Sequence, residues 1–141
     1  MKEQAYIAIK YHEDHANRAR IEGITRALEA HGLSTYCVAR DLEGWGAVHF
    51  DPPTLMKKTF EAITASDLVV ADLSEKGVGV GIEAGYAHAH HIPIVVIACA
   101  GSPISETLRG IAAQVGFYRC DQDLVQIFAG VRRLLTQNKP D

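Results

Sequence analysis

What this chain lacks sets limits before any motif is read. No basic stretch is longer than a pair of residues, and the net charge is −3. A groove that holds nucleic acid through phosphate contacts is therefore not expected. The longest apolar run, "IPIVVIACA" (92–100), falls far short of the roughly 20 residues a membrane helix needs, so no membrane partner is expected either. "MKEQAYIAIKYHED", at the start, has no long apolar segment and no small-residue cleavage site, which points to a cytoplasmic protein. Only three cysteines occur: Cys37, Cys99 and Cys120. Their odd number, and the strand-like surroundings of two of them, read as buried reduced thiols rather than a disulfide frame. A metal motif is missing too. His88 and His91 share a helix face, but no carboxylate or third ligand stands at zinc spacing, so neither metal nor cofactor is expected.

What is present is enough apolar material for one core. Hydrophobic residues make up 48% of 141, and residues 1–141 read as a single domain. Short β-branched runs alternate with amphipathic ones. "AYIAIK" (5–10), "LSTYCVA" (33–39), "DLVVADL" (67–73), "IPIVVIA" (92–98) and "GFYRC" (116–120) read as strands. Helices are expected over 13–32 with Gly32 as the stop, over 54–66, after the glycines near 80, from Pro103 onward, and over 123–137. Leu55, Phe60 and Ile63 are the expected core contacts of the second helix, and 40–53 reads as a long loop. This alternation predicts a doubly wound α/β domain, Rossmann- or flavodoxin-like, with a five-stranded parallel sheet. Ligands of such sheets sit beyond the carboxyl ends of the strands, where strand order reverses.

"KGVGVGIEAGYAHAH" (76–90) is the segment that stands out. It is not a dinucleotide fingerprint, because it follows the third strand and Ala84 replaces the third glycine of a pattern begun at Gly79. A P-loop ending is absent as well. Gly77, Gly79 and Gly81 would let backbone N–H groups approach an anion closely at a helix start. Glu83 is expected in the first turn, where an acid either serves chemistry or simply complements the helix dipole. The residues alone leave those two accounts level.

A resemblance separates them. "GVGVGIEAGYA" resembles the G-x-G-x-E-x-G-x-A segment of the nucleoside 2-deoxyribosyltransferase superfamily, and "SETLRG" (105–110) resembles a segment of its 2'-deoxynucleoside 5'-phosphate N-hydrolases. "RDLEGWGAVHF" (40–50) is similar to the Trp-Gly-Ala loop of its cytidylate hydrolases. The resemblance spans nearly the whole chain. It implies a homodimer acting on a small-molecule nucleotide or nucleoside, with Glu83 as the nucleophile. Gly79 and Gly81 would line the phosphate or ribose, and Ser105 would reach the phosphate of the partner's site. The activity implied is hydrolysis of the N-glycosidic bond of nucleoside 5'-monophosphates, with base transfer and binding without turnover as rivals.

An aspartate usual in its hydrolases and transferases is replaced here by Thr59, and one that the transferases carry is replaced by Gly77. Glu61, Asp72 or a residue of the first loop, "KYHEDH" (10–15), would then have to protonate the leaving base. Lys10 and Tyr11, at the end of the first strand, are further candidates for substrate contact. So are Arg40 and Trp45 in the second loop, the Trp either stacking on a base or closing the core. Asp72 ends the buried third strand, where capping the next loop is its plainer role.

Overall fold

The computed structural model describes residues 2–14 and 16–137, so His15 of the first loop lies outside the described residues. Five strands, β1 (Gln4–Ala8), β2 (Ser34–Tyr36), β3 (Leu68–Asp72), β4 (Ile94–Cys99) and β5 (Gln114–Tyr118), form one sheet. All neighbours are parallel, in the order β2-β1-β3-β4-β5. Among the described residues α1 (Arg18–Glu29), a π-helical turn (Val38–Leu42) with α2 (Pro52–Thr64), α3 (Val78–Ala89) and α4 (Glu106–Ile111) connect successive strands, and α5 (Asp121–Phe128) and α6 (Val131–Gln137) follow β5. The doubly wound five-stranded parallel architecture is the one expected.

Period-2 alternation assigns each strand residue to a face. Ala5, Ile7, Leu68, Val70, Val95 and Ile97 meet Ile21, Ile24 and Leu28 of α1 and Leu124 and Phe128 of α5. Tyr6, Ala8, Val69, Ala71, Ile94 and Val96 meet Ile63 of α2 and Val80, Ala84 and Ala87 of α3. Full burial of each large aliphatic side chain contributes about 1.5–3 kcal/mol, so both layers are needed to hold the sheet.

Several boundaries differ from expectation. α1 begins at Arg18, since Glu13, Asp14, Ala16 and Asn17 form turns. Gly32 does terminate it, at φ 81°, a conformation that favours glycine. α2 starts earlier than expected, at Pro52, because the Asp51 carboxylate accepts from the Thr54 N–H and proline fits a first turn that has no partner for its nitrogen. α4 starts later, at Glu106 rather than at Pro103. The last helix is two, broken at Ala129 and Gly130. Cys37 is buried, Cys99 half-buried and Cys120 exposed, and all three are free thiols, so the buried reading fails for Cys120 at the exposed start of α5. No helix among the described residues is long and apolar enough to cross a membrane.

Candidate active site

From β1 the chain moves outward to β2, then crosses back to place β3 on β1's other side. The reversal leaves a crevice above the carboxyl ends of β1 and β3. A cavity of about 420 Å³ opens there, a size that suits a small ligand. Tyr6, Ile7 and Cys37 line it from the sheet, and Gly79 and Glu83 from α3. Leu55, Met56 and Thr59 line it from α2, and Val38, Ala39, Glu43 and His49 from the segment after β2. Ile9, Lys10, Tyr11, Glu13 and Asn17 complete the wall. Leu55, expected in the core, thus faces the cavity.

Glu83 lies in the second turn of α3, not the first, which removes the helix-dipole account of its presence. It is half-buried, one side opening to the cavity. Burial pushes its carboxyl up to about 8, opposed by a hydrogen bond from the Tyr6 hydroxyl. Burial and the neighbouring carboxylate together raise the Tyr6 phenol, which stays protonated and therefore a donor. Gly79 precedes Glu83 by four residues and so occupies the same helix face. A Cβ there would lie 3.9 Å from Glu83 Oε1, so glycine leaves the helix bare beside the carboxylate. A carboxylate with cleared space beside it is open to a reacting carbon.

Helix rotation of about 100° per residue sends Gly81 to the other side of α3. Gly81, Gly77 and Ser105 line a separate depression of about 180 Å³ together with Lys76, Pro103 and Leu108. Ser105 bonds Thr107 through their hydroxyls at 2.6 Å, and it does not line the Glu83 cavity of its own chain. Lys10 and Tyr11 do line that cavity; the Lys10 ammonium is 3.9 Å from Glu75.

Three candidates stand elsewhere. The Arg40 guanidinium donates to Asp41 at 2.7 Å, to Thr25 at 2.7 Å and to Thr35 at 2.9 Å, clasping β2 to α1. Trp45 takes the core-closing role: it packs on the α1 layer under the Arg18 guanidinium, 4.5 Å from the ring centre. Asp72 accepts from the Tyr118 hydroxyl at 2.6 Å and from the Ser74 N–H at 2.7 Å, a cap and strand tie outside the cavity. Of the expected substitutes for Thr59, Glu61 is exposed and also outside the cavity, whereas Thr59 itself is 2% exposed in its wall.

Sequence reasoning passed over Tyr6, Glu43 and His49. Tyr6 had a signal, since period 2 sets it on the face opposite Ile7. The other two had none, because a loop has no period. Among the described residues no group of His, Cys, Asp and Glu is placed to hold a metal ion.

No protein-family model and no curated protein matches the chain. Solved structures do. The CMP N-glycosidase BcmB of Clostridium botulinum shares 20% identity over 88% of this chain and 95% of its own, with a TM-score of 0.62. A 2-deoxyribosyltransferase of Bacillus psychrosaccharolyticus shares 16% over 86% and 90%, at 0.67. BlsM, solved in solution, shares 20% over 99% and 96%, at 0.72. The likeness is one of fold, and it is the fold that the sequence resemblance implies.

Proposed function

We propose that the protein cleaves the N-glycosidic bond of nucleoside 5'-monophosphates, with Glu83 as the nucleophile. The observation that carries this reading is a half-buried carboxylate beside the bare backbone of Gly79 in the switch-point cavity. Glu83 attacks the anomeric carbon through an oxocarbenium-like state, giving a glycosyl ester that water resolves. Lys10 supplies a cation at the cavity for phosphate. The neighbouring structures, an N-glycosidase and a deoxyribosyltransferase, support the same general chemistry. Incubation with a panel of nucleotides and nucleosides, with and without acceptor bases, tests it. Free base from monophosphates is the expected product. Exchanged base would mean transfer, and binding without turnover would overturn the enzyme reading.

The attacking form of Glu83 is the carboxylate. Because its carboxyl ionises near 8, kcat/KM on a substrate whose leaving group needs no proton should rise about tenfold per pH unit below that value and level above it. Tyr6→Phe removes the hydrogen bond that holds this value down, so the midpoint should move to higher pH. A profile flat from pH 5 to 8 would remove Glu83 from the chemistry.

A homodimer with composite sites belongs to the same proposal. Ser105 sits across α3 from the cavity of its own chain, beside a helix face where Val78 is 83% and Ile82 48% exposed. A second copy covering that face would bring Ser105 to its neighbour's phosphate. Mixing Glu83→Gln and Ser105→Ala subunits should then leave about a quarter of sites intact and restore activity. A chain that sediments as a monomer at assay concentration would rule this out.

A further inference from the structure

A departing base must take up a proton as the C–N bond breaks, and the cavity has few groups able to give one. Glu83 is the attacking group in the reading above, on which this inference rests. Tyr6 is committed to Glu83. The Thr59 hydroxyl is far too weak an acid, and Lys10, Tyr11, Glu13 and His49 are exposed. Glu43 differs from all of these. It is half-buried in the cavity wall, on the segment that follows β2, whereas Glu83 is on the helix that follows β3. The sheet order places these two segments on opposite sides of β1, so the two carboxyls approach a ligand above β1 from different sides.

The chain turns sharply directly after Glu43. Gly44, Trp45 and Gly46 take φ values of 54°, 57° and 91° in succession. For tryptophan that conformation is costly, and it is held by the Trp45 N–H bond to the Ala39 carbonyl at 2.7 Å and by the Arg18 contact. The Glu43 carbonyl accepts from Gly46 and Val48, closing the turn and bringing His49 back to the cavity beside Glu43. Among the described residues the Glu43 carboxyl has no hydrogen-bond partner, and the neighbouring group that acts on it is His49. Burial raises its carboxyl, which favours the protonated form, and His49 opposes that.

We propose that Glu43 is the general acid and base of this site, protonating the leaving base and then activating the water. In the first step a Glu83 oxygen bonds to the anomeric carbon while the C–N bond breaks. The bonding pair goes to the base nitrogen, which takes the Glu43 proton and leaves Glu43 ionised. In the second step water gives a proton back to Glu43 as its oxygen bonds to the anomeric carbon, and the Glu83 carboxylate departs.

The test is Glu43→Gln assayed on two substrates: the monophosphate the parent cleaves fastest, and the 4-nitrophenyl glycoside of the same sugar phosphate. Nitrophenolate leaves without protonation. Base release should fall by about a hundredfold to ten-thousandfold, and the burst of nitrophenolate by less than about threefold. Equal losses on both substrates would make Glu43 a structural or binding residue, and no loss on either would leave it without a role; both overturn the proposal. A parent that releases neither base nor nitrophenolate instead fails the glycosidase reading of Glu83, and the role of Glu43 falls with it.

Discussion

Glu83→Gln is expected to lower base release by at least about a thousandfold while making the fold more stable. The amide keeps the shape and an acceptor for the Tyr6 hydroxyl but cannot form the glycosyl ester. The stability gain follows from the raised ionisation of the wild-type carboxyl, about 8 against an ordinary 4.5. Between those values the folded state holds a proton that the unfolded chain releases, so wild-type stability falls as pH rises from about 4.5 through 8. The amide carries no such dependence. Its advantage is absent below pH 4.5, grows to about 3 kcal/mol at pH 7 and levels on the order of 5 kcal/mol above pH 8. Thermal melts of both proteins at pH 4.5 and 8.5 measure it. A glutamine variant with parental activity would mean that Glu83 is not the nucleophile, and one no more stable at pH 8.5 than the parent would mean that it is not buried at a cost. Stability given up at one residue is how a functional site commonly differs from the rest of a fold.

Asp72→Ala should act in the opposite way, through the fold rather than the chemistry. Asp72 is 1% exposed, and its oxygens are taken by Tyr118 and the Ser74 N–H. The Ser74 hydroxyl in turn accepts from the Cys99 N–H at 2.8 Å, so one network joins the ends of β3, β4 and β5. Alanine leaves a buried hydroxyl and an N–H without an acceptor, costing about 3 kcal/mol, or about 10 °C in Tm for a domain of this size. Asp72→Asn retains one acceptor and should lose less. Activity per folded molecule should persist in both. A drop in nucleotide affinity with an unchanged Tm would assign Asp72 to the ligand instead.

The residues that could be found from sequence are those whose position follows from periodicity or from a dense local pattern. Glu83 and Gly79 are four apart on one helix, so any helix at 78–89 sets them side by side. β3 is apolar throughout up to Asp72 because both its faces are covered, and that property is visible without coordinates. Arg40 and Trp45 were harder to place. Both occupy an aperiodic segment, and their side chains are claimed by partners far away in sequence, Thr25 and Arg18.

By itself the sequence determined the layered parallel fold, and it singled out the third crossover and its carboxylate as the candidate site. These depend on local propensity and on short-range burial, which neighbouring residues encode directly. Only the tertiary structure decided that Glu83 meets the Tyr6 hydroxyl and that Glu43 reaches the cavity. Each of these requires segments from separate strands to meet across β1. The electrostatic environment of a carboxyl is set by whatever surrounds it in space, and no spacing along the chain carries that information.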